Sequence, residues 1–137
     1  MQFSRRLRWV LALATLSQAV AAMEVHTGPY LESMKNDPAS GLSSVWVLWE
    51  MKRGSGQPLV EYGQNPNALV SASGSSSNTE KKGKLKTEIH EVELGQLAPG
   101  TLFYYRINTG ANEYSELYQF LTAPARSDES GFTFLAT

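Results

Sequence analysis

The fold is decided by one stretch of sequence, residues 97–107, which reads LAPGTLFYYRI. Pro99 and Gly100 favour a tight turn, because proline presets φ and glycine tolerates a positive φ. From Thr101 onward the stretch is rich in aromatic and β-branched side chains, which suit a pleated and half-buried surface. The stretch therefore predicts a tight corner that leads directly into a β-strand.

Short apolar runs separated by turn signals recur along the rest of the chain, and no long segment has helical periodicity. This pattern predicts an all-β protein, and a Leu-x-Pro-Gly-Thr corner before an aromatic strand is typical of immunoglobulin-like sandwiches. We expect a sandwich of seven strands, over residues 25–31, 43–51, 59–62, 68–72, 85–94, 101–109 and 117–122. Gly28 and Pro29 interrupt the first strand, which is therefore predicted at a sheet edge or a bulge.

The polar, serine-rich residues 73–84 are predicted to form a mobile loop. Lys81, Lys82 and Lys84 lie close together in it. Such a cluster could contact phosphate, but a short charge run in a loop is usually solvated, and that is our interpretation.

Residues 1–22 have the three parts of a secretory signal peptide. Arg5, Arg6 and Arg8 form a basic head, residues 9–16 form a short apolar core, and residues 19–22 are small enough for cleavage. The apolar run is too short to cross a bilayer, so we expect no transmembrane segment. The prediction is a cleaved leader and a secreted or periplasmic protein; the alternative is a buried N-terminal helix.

Composition limits the classes of partner. The chain has 137 residues and no cysteine, so it has neither a disulfide framework nor a cysteine-based metal site. Without the leader it keeps nine of the 12 Lys and Arg and all 13 Asp and Glu, a net charge of −4. A mildly acidic surface argues against nucleic acid as the main partner.

No catalytic, cofactor-binding or metal-ligating group is evident in the sequence. The two histidines, His26 and His90, are far apart, and His90 alternates with Val92 and Leu94 as a hydrogen-bonded sheet residue would. The carboxylates Glu80, Glu88, Glu91 and Glu93 are interpreted as a solvated face.

Trp46 and Leu48 are the candidate interface residues. If Val45, Val47 and Trp49 face the core, then Trp46 and Leu48 point outward, because successive residues of a strand face opposite sides. Two large apolar groups on an outer face suggest a docking surface, with cover by loops of the same domain as the alternative.

Several runs together resemble one known family. They are TGPYL at residues 27–31, SVWVLW at 44–49, VEYG at 60–63, HEVEL at 90–94, the corner at Leu97, and YQFLTAP at 118–124. In this order they resemble the N-terminal fibronectin type III-like domain of purple acid phosphatases and related metallophosphoesterases, over residues 25–124. One departure is Phe103, which stands where related corners carry a tyrosine whose hydroxyl bonds back to the chain.

After the predicted signal peptide at 1–22, the resemblance implies the fibronectin-like domain at 23–124 and a linker with the first strand of a truncated catalytic domain at 125–137. It implies that the complete enzyme is an exported acid phosphatase that hydrolyses phosphate monoesters with a dinuclear metal centre (iron with iron, zinc or manganese). Its catalytic residues are expected beyond Thr137, and the main partner of this domain is the missing catalytic domain. The alternatives are a free-standing extracellular binding module without activity and a non-functional remnant.

Overall fold

A computed structural model describes residues 25–79 and 86–125, and these residues contain nine strands and no helix. The strands are β1 (Val25–Asn36), β2 (Ser43–Lys52), β3 (Leu59–Gly63), β4 (Val70–Ser73), β5 (Ser75–Thr79), β6 (Thr87–Leu97), β7 (Leu102–Gly110), β8 (Glu113–Tyr114) and β9 (Tyr118–Leu121). The predicted leader, the loop lysines and the predicted strand after residue 125 lie outside the described residues. No helix that could cross a membrane occurs in the described part of the chain.

The strands form two antiparallel sheets. The first sheet has the order β1-β2-β6-β5. In the second, β4, β3 and β7 are neighbours, and both β8 and β9 pair with β7. The predicted all-β sandwich is therefore confirmed, with nine strands among the described residues in place of the seven expected.

One of the two additional strands, β5, corrects the prediction of a loop over residues 73–84. Ser75–Thr79 pairs with β6 in regular antiparallel register. The strand is brought there by Gly74, whose N–H donates to the carbonyl of Pro58 at 2.9 Å. A Cβ at Gly74 would overlap the carbonyl oxygen of Glu91, so the chain crosses between the sheets where only glycine fits. Serine-rich composition predicts a loop, whereas this backbone contact produces a strand.

β1 lies at the edge of the first sheet, as its Gly28 and Pro29 predict. It is longer than expected and continues to Asn36, with three irregularities in its pairing with β2. Gly28 has a φ of +97°, and a Cβ there would lie 2.9 Å from the carbonyl oxygen of Leu48. The edge strand therefore bends closely over β2 at this point.

The core lies between the sheets and is built from the inward-facing residues of β2, β3, β6, β7 and β9. The predicted inward face of β2 is confirmed, since Val45, Val47 and Trp49 are all at most 1% exposed. The complete cluster contains Val45, Val47, Trp49, Met51, Val60, Val92, Leu94, Leu97, Phe103, Tyr105, Ile107 and Phe120.

Candidate docking surface

The two predicted interface residues lie on the outer face of the first sheet. Along β2, buried and half-buried residues alternate strictly, and both Trp46 and Leu48 belong to the half-buried set. Their side chains therefore point away from the core that Trp49 helps to fill. The predicted orientation is confirmed, and the two residues form the middle of an outer surface.

Strand register places a carboxylate beside each of these apolar residues. Trp46 lies opposite Glu32 of β1 on one side and Glu93 of β6 on the other. Leu48 lies opposite Tyr30 on one side and Glu91 on the other. Directly opposite side chains in a sheet are within about 4.5–5.5 Å at Cβ, so apolar and acidic groups are interleaved at contact range.

Two further apolar residues belong to this surface and were not predicted. Tyr30 is 54% exposed, and Ile89 is half-buried on the outward face of β6. Two shallow depressions on this face share Glu32 and Leu48 among their lining residues. We call Tyr30, Trp46, Leu48 and Ile89 the outer-face strip. The irregular pairing of β1 explains why sequence alone did not assign Tyr30 to a face.

The charges around the outer-face strip are mainly negative. Glu32, Glu91 and Glu93 take part in none of the ion pairs between described residues. Glu50 is engaged differently, since its carboxylate accepts hydrogen bonds from Thr87 at 2.5 Å and from Thr27 at 3.4 Å. Lys35 and Lys52 lie near the two ends of β2 by register, so the middle of the face is acidic.

His90 is a structural residue of the core, as its alternation predicts. It is 1% exposed, its ring lies 5.1 Å from that of Trp49, and its Nδ1 is 2.8 Å from the hydroxyl of Ser76. Its Nε2 is 3.4 Å from a carboxylate oxygen of Glu88 but lacks hydrogen-bond geometry to it. Burial lowers the pKa of His90, and the carboxylate of Glu88 opposes this effect.

Glu88 differs from the solvated carboxylates among which it was grouped. It lies opposite Met51 on the core side of β6, and its carboxylate accepts the N–H of Gly54 at 3.1 Å. Glu91 and Glu93 lie on the outer face, as expected, and Glu80 is outside the described residues. Among residues 25–79 and 86–125, no group of three or more His, Asp or Glu side chains is placed to hold a metal ion.

The chain leaves the sandwich at a fixed place. The N–H of Gly100 donates to the carbonyl of Ala123 at 2.9 Å, and the side-chain amide of Asn36 lies 3.4 Å from the carbonyl oxygen of Pro124. Asn36 is itself tied to Ser43, whose hydroxyl donates to it at 2.7 Å. The last described residues are therefore bonded to the end of the sandwich where β1 ends and β2 begins.

Comparison with known proteins identifies the family to which the sandwich belongs. A profile of the purple acid phosphatase N-terminal domain matches residues 34–122, which is more than half of the 137 residues. The match begins at Met34, near the end of β1, and ends at Thr122, directly after β9, so it covers all of β2 to β9. A search of curated proteins gives no match. The resemblance seen in the sequence is confirmed, and the chain belongs to the family of purple acid phosphatase N-terminal domains.

Proposed function

We propose that this chain acts as the accessory N-terminal domain of an exported, metal-dependent acid phosphatase. The observation that carries the proposal is the family match over residues 34–122, together with a sandwich fold over the same residues. In this proposal the complete enzyme hydrolyses phosphate monoesters, and the sandwich supports a separate catalytic domain.

The metal centre is assigned to that catalytic domain. The described residues of the sandwich do not fit a dinuclear centre, because no cluster of three or more possible ligands occurs among them. In the complete enzyme, two metal ions (iron with iron, zinc or manganese) would activate a water and bind the phosphoryl oxygens. We therefore derive no catalytic step from the side chains of the sandwich.

The proposed task of the sandwich is to hold the catalytic domain through the outer-face strip. Interfaces between domains of one chain bury roughly 600–1,500 Å², and they need an apolar contact to be stable. Trp46 and Leu48 provide such a contact at the centre of the first sheet. The bonded exit at Pro124 supports the same idea, because it fixes the point from which the following chain continues.

Export is the second part of the proposal. Residues 1–22 have the basic head, apolar core and small-residue end of a secretory leader. A cleaved leader would place the mature protein in the periplasm or outside the cell. N-terminal sequencing of the exported protein tests this, with a start at Ala22 or Met23 expected and intact Met1 as the contrary result.

The experiment that tests the phosphatase assignment begins with the coding sequence downstream of Thr137. We expect an open reading frame that soon encodes an aspartate and further His and Asp motifs. Its product should hydrolyse an aryl phosphate in the presence of iron, zinc or manganese, and the 137-residue chain alone should not. A stop codon directly after Thr137, with a chain that binds extracellular ligands, would favour the alternative of a free-standing fibronectin-like binding module. The outward-facing apolar side chains of the outer-face strip, of which Tyr30 is 54% exposed, are the observation that supports this second candidate.

A further inference from the structure

From the interleaving of charges with the outer-face strip, we infer that this face selects a protein partner with an apolar centre and a rim of lysine or arginine. The inference rests on the proposed docking role and goes beyond it, since it names the chemistry that the partner surface must have. Two observations support it: strand register places glutamates beside the apolar residues, and these glutamates take no part in the ion pairs between described residues.

The acidic groups lie within contact range of the apolar ones. Trp46 lies between Glu32 of β1 and Glu93 of β6. Leu48 lies between Tyr30 of β1 and Glu91 of β6. A partner that covers Trp46 and Leu48 must therefore also approach these three carboxylates. Ionised carboxylates that lose water without gaining a cation carry a desolvation penalty, so a neutral apolar partner is disfavoured.

The three carboxylates are available for such a partner. Among the described residues, Arg106 forms an ion pair with Glu61, and His90 lies close to Glu88, with which it would pair only if protonated; neither contact involves the outer face. The fourth carboxylate, Glu50, is bonded within the sheet to Thr27 and Thr87. Glu50 keeps its negative charge, and Glu32, Glu91 and Glu93 are the carboxylates of the face that take part in none of these ion pairs.

A second copy of this chain is a poor occupant of the face. Two copies placed face to face would bring three carboxylates of each copy together, and like charges in opposition are destabilising. A rim of lysine or arginine turns the same geometry into attraction, which also makes the association sensitive to salt. The occupant that fits is therefore a heterologous, cationic-rimmed protein surface.

The test is a nuclear magnetic resonance titration of the 137-residue chain with two blocked peptides, KKLWLKK and EELWLEE. We expect the cationic peptide to perturb amide signals of β1, β2 and β6 around the outer-face strip. We expect it to bind at least about fivefold more tightly than the acidic peptide, because each surface charge pair adds a modest amount. Raising the salt concentration should reduce this preference.

A variant carrying Glu32→Gln, Glu91→Gln and Glu93→Gln should lose the preference while still binding through apolar contact. The matched control is Glu113→Gln, which removes a carboxylate from β8 of the other sheet and should leave the preference unchanged. Equal affinity for both peptides, perturbation confined to other surfaces, or no binding by either peptide would overturn the inference. The phosphatase activity of the longer protein is measured separately. A negative titration would therefore contradict this inference without contradicting the proposed function.

Discussion

The hydroxyl of Thr122 accepts a hydrogen bond from the N–H of Thr101 at 2.8 Å and donates one to the carbonyl of Ala98 at 2.6 Å. It thereby joins the end of β9 to both sides of the corner that precedes β7. Related corners use the hydroxyl of a tyrosine where this chain has Phe103. Here the ring of Phe103 stacks on that of Phe120 with centroids 5.7 Å apart, so the packing is retained and the hydrogen bonds come from a different strand.

Removing this hydroxyl should destabilise the domain. We expect Thr122→Val to lower the free energy of unfolding by about 1–3 kcal/mol, because Thr122 is 1% exposed and the N–H of Thr101 would lose its partner. Urea unfolding followed by fluorescence measures the change. Thr109→Val, at a half-buried position of β7, is the control and should cost much less. Equal losses in the two variants would contradict this role of Thr122.

The two tryptophans of β2 should differ sharply in their contribution to stability. Trp49→Ala should cost about 3–5 kcal/mol, since its side chain is 1% exposed and fills the core. Trp46→Ala should cost about 1 kcal/mol or less, because its side chain lies on the outer face. Denaturant unfolding of both variants gives the comparison. A larger loss for Trp46→Ala would mean that the face assignment of β2 is inverted.

The crossing between sheets should depend on Gly74. An added methyl group would overlap the carbonyl oxygen of Glu91, which is backbone and cannot rotate away. Gly74→Ala should therefore destabilise the domain by about 1–3 kcal/mol, in the range of an overpacked site. Gly95→Ala is the matched control, because nothing lies within 4 Å of a Cβ at that position. In thermal melting, Gly74→Ala should have the lower melting temperature of the two variants. Identical melting temperatures would contradict the steric role of Gly74.

Stability should fall at mildly acidic pH because of His90. Burial lowers its pKa in the folded state below the ordinary value of 6.5, so the unfolded chain binds this proton more readily. The contribution of His90 is complete above pH 6.5 and is lost as pH falls through its folded-state pKa, with a slope of at most about 1.4 kcal/mol per pH unit. Unfolding free energies between pH 8 and pH 5 should show this slope in the wild type and in His26→Gln, an exposed control. His90→Gln should reduce the slope of the unfolding free energy against pH. An unchanged slope in that variant would show that other groups cause the pH dependence.

The part of the fold that sequence predicts well is the part governed by local pattern. Strict alternation from Val45 to Trp49 identifies the inward face of β2, because a strand has a period of two. The corner at Pro99 and Gly100 is equally local. β5 was missed because its residues are polar and its pairing depends on the close approach of Gly74 to Glu91, a contact between residues distant in sequence.

The composition of the outer-face strip was predicted only in part, for a related reason. Alternation places Trp46 and Leu48 on the outer face, but it does not say which residues of β1 and β6 lie beside them. Tyr30 comes next to Leu48 only after the irregular pairing around Gly28, and no local pattern encodes that register. The acidic neighbours follow from the same register, so the charge of the face became visible only in the assembled sheet.

Calorimetry of the longer protein, with the sequence downstream of Thr137, tests most directly whether the outer-face strip holds a catalytic domain. We predict that the sandwich melts at a higher temperature in the longer protein than in the 137-residue chain, because docking stabilises the folded state. Trp46→Ser combined with Leu48→Thr should abolish this increment and leave the melting temperature of the shorter chain nearly unchanged. The same melting temperature for the sandwich in both proteins, or an increment that survives the double substitution, would contradict the account.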